Sequence, residues 1–284
     1  MTTIRQYFTD ITNLLRPSLG AEAADTARII FEDIAGYDRN YIFANGDRDI
    51  LDFTQKKIKD VADKVIAGEP VQYAVGKARF MGMDFLVTPA VLIPRPETEG
   101  LVDLITDDFQ GCSDLSVLDL CTGSGCIAIA LARALPFADV EAVDISKDAL
   151  DVAKRNAQAL IVSVDFEQAD VLKLSPAPHT YDIIVSNPPY IAEKEKAQMD
   201  ARVLDYEPSL ALFVPDDNPL LFYKAIGRYA FSSLKPGGKL YFEINPLFAE
   251  DLKKMLVAEG FDNVELLRDY CGKLRFARAS KAAS

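Results

Sequence analysis

The chain has 284 residues, 49% of them hydrophobic, enough to fill the core of one large α/β domain and a smaller companion. Its 31 Lys and Arg stand against 43 Asp and Glu, a net charge of −12, which disfavours stable nucleic-acid binding because little positive charge is in excess to neutralise phosphates. Four cysteines without a CxxC pair, a single histidine and no apolar run of membrane-spanning length argue against a disulfide scaffold, a structural metal and a membrane anchor, so a cytoplasmic protein of a reducing compartment is expected.

From Ile4 to about Ala67 apolar residues recur at helical spacing, as in Ile4, Phe8, Ile11 and Leu15, with turn signals at Pro17-Ser18-Leu19-Gly20 and Asn45-Gly46. A small helical domain over residues 1–75 is expected. It holds 9 basic and 12 acidic residues and so is no polycationic arm. After Val71 short apolar and aromatic runs, punctuated by Gly76, Gly82 and Pro89, predict a β-hairpin over 76–93 that links two domains.

From Ser116 onward short β-rich runs alternate with helical ones: Val117–Cys121 then Ile127–Leu135, Val140–Val143 then Ala149–Leu160, Val164–Phe166, Ile183–Ser186, Leu220–Leu234, Lys239–Ile244 and Ala249–Leu256. This alternation predicts an α/β fold over 94–284 built on a doubly wound, mostly parallel sheet. The tail differs, because only Asp269-Tyr270-Cys271-Gly272 separates Val264–Leu267 from Leu274–Ala277, too short for a crossover helix, and an antiparallel edge is expected. The charge run Glu193-Lys194-Glu195-Lys196 reads as a solvated loop or helix face.

Val117-Leu118-Asp119-Leu120-Cys121-Thr122-Gly123-Ser124-Gly125-Cys126-Ile127-Ala128 is a strand, a glycine turn and a helix start, where glycine lets the backbone approach a ligand closely. Asp144 closes the next strand, where a carboxylate can accept both hydroxyls of a ribose, and Asp170 is similarly placed to meet an adenine edge. A dinucleotide would also suit these glycines. Asp119 tips the balance, because a carboxylate just before the turn repels a pyrophosphate but can receive the ammonium of S-adenosyl-L-methionine, directly or through a water.

The apolar run Ile183–Ser186 leads into Asn187-Pro188-Pro189-Tyr190, at a strand's carboxyl end, where open α/β sheets bind their ligands. Each proline fixes its own φ and restricts the residue before it. The Asn187 side-chain oxygen and the Pro188 carbonyl become two acceptors in a stiffened turn, suited to the planar –NH2 of an amide or a nucleobase.

With these features together in one chain, the sequence resembles a class I methyltransferase acting on a planar nitrogen. Pro70-Val71-Gln72-Tyr73, then Phe80, Gly82, Phe85 and Val91 through Glu99, look like the linker of the release factor glutamine methyltransferases, the PrmC/HemK family, and Glu207 through Phe213, Glu243-Ile244 and Asp269 through Arg275 are similar to the same family. The resemblance implies a helical domain that helps engage peptide chain release factors and an α/β domain that methylates the glutamine side chain of their Gly-Gly-Gln loop. Cys121, Thr122, Gly123, Ser124, Gly125, Asp144, Ile145, Asp170 and Val171 would then line the cofactor beside Asp119. Asn187 would touch both ligands, and Asn187, Pro188, Pro189 and Tyr190 would hold the glutamine, with Tyr190 packed beside the target to seal it from water. Arg95 and Glu99, on the linker facing the cleft, are candidates to orient cofactor or substrate, and a salt-bridge role suits them equally. Three departures stand out: Val214-Pro215-Asp216-Asp217-Asn218-Pro219 replaces a glycine-rich stretch, Asn245 replaces the glycine of Glu-Ile-Gly, and Val171 replaces an aromatic residue.

Three rival readings remain. Adenine N6 and guanine N2 methyltransferases use a similar clamp on a flipped base. A nicotinamide-dependent dehydrogenase would share the glycine loop, and a non-catalytic adaptor would bind release factors through the helical domain.

Overall fold

In the computed structural model, which describes residues 2–283, the Thr3 hydroxyl accepts a hydrogen bond from the Gln6 N–H at 3.2 Å and so opens the first helix. Helices α1 (Ile4–Leu19), α2 (Ala23–Ala35), α3 (Arg39–Asn45), α4 (Asp52–Ile66) and α5 (Val71–Val75) follow one another. Ile11 and Leu15 of α1, Ile30 and Phe31 of α2 and Ile58 and Ala62 of α4 repeat at helical spacing and meet in one buried core. This helical unit runs to Lys77 and takes in Asp200–Tyr206 from much later in the chain. Tyr206 is anchored in it by a hydrogen bond to the Ala67 carbonyl, and Arg202 pairs with Glu22.

The second unit comprises Ala78–Met199 and Glu207–Ser284. Its opening hairpin, β1 (Lys77–Phe80) and β2 (Met83–Leu86), turns through Met81 and Gly82, both at positive φ. The hairpin is shorter than the expected 76–93, and it is a built part of this unit rather than a free link, because Phe80, Met83 and Phe85 are buried in its core. Helix α6 (Pro96–Asp108), which the pattern did not announce, starts on a proline whose fixed φ suits a first turn. Then come β3 (Ser116–Leu120), α7 (Cys126–Ala134), β4 (Asp139–Asp144), α8 (Lys147–Leu160), β5 (Asp165–Gln168), β6 (Tyr181–Ser186) and the short β7 (Ile191–Ala192). The chain leaves for α9 (Ala201–Tyr206) in the helical unit and returns through β8 (Phe213–Val214), α10 (Leu221–Ser233), β9 (Leu234–Glu243), α11 (Ala249–Ala258), β10 (Asp262–Arg268) and β11 (Leu274–Ser280).

Seven strands form one sheet in the order β10-β11-β9-β6-β3-β4-β5. β3 runs parallel to β4 and β6, β4 to β5 and β6 to β9, whereas β11 is antiparallel to both β9 and β10. The doubly wound sheet and its antiparallel edge are as the alternation of elements predicts. Buried side chains form two clusters in this unit, one around α6 and α7 and one around α10 and α11.

One position is strained for no gain in packing. Helix α8 ends on Ile161 at φ 57° and ψ 48°, with its side chain 93% exposed. A β-branched residue in this left-handed region clashes with its own backbone, and glycine is the usual occupant. Replacing Ile161 by glycine should therefore stabilise the α/β unit by about 1 kcal/mol, seen as a thermal midpoint higher by about 2–4 °C. An unchanged or lower midpoint would show that the backbone stores no strain there.

Candidate active site

The sheet changes its winding direction between β3 and β6, because the chain builds outward from β3 through β4 and β5 and then returns to β6 on β3's other side. Loops leaving the carboxyl ends of two such strands diverge and open a crevice. Here Leu120 and Ser186 are register partners at the two strand ends, and the Ser186 hydroxyl donates to the Leu120 carbonyl at 2.6 Å. The glycine turn and Asn187-Pro188-Pro189-Tyr190 consequently start side by side.

Between them lies a cavity of about 240 Å3, far larger than the ~30 Å3 share of one water. Cys121, Thr122, Gly123, Ser124, Asp144, Ile145, Asp170, Val171, Asn187, Pro189 and Arg95 line it, together with residues from the segments 90–94 and 208–211 and Phe222. Ten of the residues expected to bind cofactor or substrate therefore surround one space with Arg95, while Asp119, Gly125, Pro188, Tyr190 and Glu99 are not among its lining residues.

The glycine turn is built by its backbone. Cys121 takes a positive φ of 63°, the Thr122 N–H reaches the Val143 carbonyl, and the Gly125 N–H closes on the Thr122 carbonyl at 2.9 Å. At Gly123 a Cβ would meet nothing within 4 Å, so its φ of +55° and the open space beyond it face the cavity freely. Gly125 needs glycine for a second reason, since a Cβ there would press on Ala153 and Ile129 at 3.1 Å. From behind, the buried Asn156 of α8 donates to the Ser124 carbonyl at 2.9 Å and exchanges hydrogen bonds with the backbone of Leu86, which ties β2 to the turn.

Asp144 ends β4 on the cavity wall, with Oδ2 accepting the Gly123 N–H at 2.8 Å and Oδ1 the Ser146 N–H at 2.9 Å. Burial raises its pKa, and these N–H groups oppose the shift by favouring the carboxylate. Asp170 is held by the Leu172 N–H at 3.0 Å and by Lys173 at 2.9 Å, the lysine keeping its carboxyl below the usual range. Asp119 is different. It is fully buried, Oδ2 accepts the Thr122 hydroxyl at 2.6 Å, and Oδ1 has no hydrogen-bond partner among the described residues. Desolvation pushes its pKa up to about 7 against the pull of the Thr122 hydroxyl.

Two of the expected residues outside the lining are engaged within the fold. Glu99 lies in the first turn of α6, not on an open linker, and its Oε1 accepts the Met81 N–H at 2.7 Å, because a carboxylate at a helix start is well placed to bind the exposed donors of the neighbouring hairpin turn. The Tyr190 hydroxyl donates to the buried Glu243 at 3.0 Å, since a half-buried phenol needs an acceptor and β9 supplies one. Arg95 does reach the cavity, and there it pairs with the buried Glu207 at 2.5 Å. Glu207 Oε2 also accepts the Ile93 N–H at 3.3 Å, so one carboxylate pins the 93–95 stretch.

Asn187 is half-buried on the cavity wall, and no residue among those described satisfies its side-chain amide. The site thus offers an unpartnered amide in a rigid turn, a carboxylate at a strand end, an open glycine backbone and an aliphatic wall of Ile145, Val171 and Leu172. Among the described residues no group of three or more His, Cys, Asp or Glu is arranged to hold a metal ion, and no helix is long and apolar enough to cross a membrane.

Residues 6–76 match the family model described as PrmC N-terminal domain, and residues 98–205 match that of the methyltransferase small domain. A release factor glutamine methyltransferase of Bacteroides thetaiotaomicron is 43% identical over 95% of this chain and 99% of its own length, and that of Lactococcus lactis subsp. lactis is 45% identical over 69% and 71%. Two solved structures share the fold at low identity. A methyltransferase of Pyrococcus furiosus superposes with a TM-score of 0.51 at 18% identity, covering 82% of this chain and all of that one, and a 16S rRNA N2 methyltransferase of T. thermophilus with 0.52 at 19%, covering 72% and 49%. On the strength of its full-length relatives, this chain belongs to the release factor glutamine methyltransferase family.

Proposed function

We propose that the chain transfers a methyl group from S-adenosyl-L-methionine to the side-chain nitrogen of the glutamine in the Gly-Gly-Gln loop of peptide chain release factors. The observation that carries this reading is the unpartnered Asn187 amide, set in a two-proline turn on the wall of a cavity that the glycine turn also lines.

The residues present fit the cofactor. Asp144, with its oxygens already oriented by two N–H groups, has lone pairs left for a ribose diol, and the backbone at Gly123 lies open to the amino-acid portion. Val171, Ile145 and Leu172 offer an aliphatic bed for the adenine, with Asp170 at its edge. Asp119 acts from behind the turn, as buried negative charge that favours an ammonium on the other side of Thr122. When bound, the cofactor supplies a methyl group activated by the positive sulfur.

An amide nitrogen is a weak nucleophile, its lone pair being delocalised into the carbonyl. Asn187 Oδ1 and the Pro188 carbonyl each accept one N–H of the glutamine carboxamide and turn the nitrogen's π face toward the methyl. With the cofactor bound, the nitrogen's pair would form the new N–C bond, the electron pair of the broken bond would remain on the departing thioether, and the nitrogen would then release one proton to water. Both acceptors face the positive charge as it develops on nitrogen, which stabilises the transition state more than the ground state. Alignment of this kind can contribute roughly 7–11 kcal/mol.

Mass spectrometry of a release factor incubated with the protein and labelled cofactor should place the methyl on the Gly-Gly-Gln glutamine. Methylation of naked DNA or ribosomal RNA with release factor untouched would sink the assignment. In the same assay Asn187→Ala should lower turnover by roughly 10²–10³-fold, while calorimetry shows a much smaller loss of S-adenosylhomocysteine affinity; equal losses would reduce Asn187 to a cofactor ligand.

Asp119 generates a pH dependence with a definite sign. Its folded-state pKa of about 7 lies above the unfolded value of about 3.9, so between those limits the folded protein binds more protons. Its contribution to stability is complete below the unfolded value and is lost as pH rises through the folded one. Without cofactor, the thermal midpoint of wild type should therefore fall from pH 5 to pH 8 relative to Asp119→Asn, whose side chain keeps an acceptor for Thr122 but carries no charge. Parallel curves for the two proteins would contradict the buried ionisation.

A further inference from the structure

Two prolines make a turn stiff within itself, but a stiff turn still swings unless both of its ends are held. The Asn187-Pro188-Pro189-Tyr190 turn is held at its start by Ser186, which lies in the sheet and donates to the Leu120 carbonyl. Its other end is gripped by the end of β9. The Tyr190 hydroxyl donates to Glu243 Oε1 at 3.0 Å, and the Thr98 hydroxyl fills Oε2 at 2.6 Å. Asn245 Nδ2 donates to the Tyr190 carbonyl at 3.1 Å and to Glu195 at 3.0 Å, and Glu195 in turn accepts the Ala192 N–H at 2.8 Å. Side chain and main chain of Tyr190 are thus fixed by two residues two positions apart in sequence, where β9 ends. That strand end is itself immobilised, since the Tyr223 hydroxyl donates to the Glu243 carbonyl and Asn245 Oδ1 accepts the Leu247 N–H.

Glu243 and Asn245 are only 2% and 5% exposed, and neither lines the cavity. A buried carboxylate costs more than an apolar residue of similar volume unless each of its oxygens is occupied, so packing alone gives no reason for a glutamate here. We propose that Glu243 and Asn245 are positioning residues for the methyl transfer described above, on which this inference rests: through Tyr190 they hold the Asn187 and Pro188 acceptors at the distance and angle the carboxamide needs. Tyr190 belongs to the same brace, its hydroxyl serving as a tether to Glu243 rather than as a group that meets the substrate. Asn245, where the family pattern has glycine, and Glu195, in the charge run, are this chain's own second strut.

The test compares wild type with Tyr190→Phe, Glu243→Gln, Asn245→Ala and the Tyr190→Phe/Glu243→Gln double variant, in steady-state methylation of a release factor. Each single change should lower kcat by roughly 10- to 100-fold, the loss expected for one hydrogen bond to a charged or strained partner. KM for the cofactor and the affinity for S-adenosylhomocysteine should not change. The double variant should be no slower than the worse single one, because both changes cut the same tether. Retained kcat, a loss that appears equally in cofactor affinity, or a double variant whose loss is the product of the two would each overturn the proposal. If the Glu243 variant does not fold, Tyr190→Phe keeps the comparison decisive, since it removes one oxygen and leaves the ring in place. Amide hydrogen exchange over residues 186–192, measured without any substrate, separates this idea from the function on which it rests. Faster exchange in the variants together with a wild type that leaves release factors unmethylated would remove the function and keep the brace, whereas unchanged exchange would remove the brace.

Discussion

The parallel pairing of β3 with β6 is the constraint from which the site follows. Once Leu120 and Ser186 share a register, the two loops that leave these strands must begin within a hydrogen bond of each other, and nothing else in the chain has to bring them together. One loop is all backbone, made passable by Gly123 and Gly125; the other is stiff, made so by Pro188 and Pro189. A crevice between an open backbone and a rigid turn can hold a large cofactor on one side and a small planar group on the other. The doubly wound topology supplies that crevice because the chain reverses its winding direction there.

Buried carboxylates organise what the sheet leaves open. Glu207 pins the 93–95 stretch and Arg95, Glu243 anchors Tyr190 and Thr98, and Asp119 backs Thr122. Each lies almost wholly out of water, where an unpaired charge is expensive. Each of them therefore fixes its donors in direction as well as in distance, which an apolar contact of the same size would not do. Asp119 is the exception that proves informative, because one of its oxygens has no partner among the described residues and burial pushes its pKa up to about 7.

The architecture was legible in the sequence where it depends on local pattern. Alternating β-rich and helical runs gave the sheet, the four-residue Asp269–Gly272 connection gave the antiparallel edge, and turn chemistry gave both cavity loops. What escaped reading depends on partners far along the chain. Glu195 sits in a charge run that reads as solvated, yet it is partly buried against Asn245, fifty residues away. Tyr190 reads as a residue packed beside the substrate, and the acceptor of its hydroxyl, Glu243, lies fifty-three residues on, at the end of β9, the strand next to β6 in the sheet. The partner of Glu99 was hidden for a similar reason: Pro96 starts a helix whose first turn meets the Met81 N–H. The excursion of Asp200–Tyr206 into the helical unit has no periodic signature at all, since a six-residue helix completes fewer than two turns.

The cavity walls also limit the chemistry. A base able to take a proton from an amide would have to be free, and no titratable wall residue is. Asp144 already receives two N–H groups, Asp170 is paired with Lys173, and Arg95 is bound to Glu207. Burial pushes the Cys121 thiol far up and the Cys126 thiol to about 12, so neither is a thiolate at neutral pH. In the proposed transfer, rate enhancement would come from holding the nitrogen in line and from acceptors that meet its growing charge, and the proton would leave only after the nitrogen has become acidic by bonding to the methyl. On the proposed mechanism that requirement would make the stiffness of the Asn187 turn a catalytic property in its own right, because a misplacement of about 1 Å can cost on the order of 10²-fold in rate. The two prolines, the Ser186 anchor and the hydrogen bonds of Tyr190 to Glu243 and Asn245 would all act on that one distance.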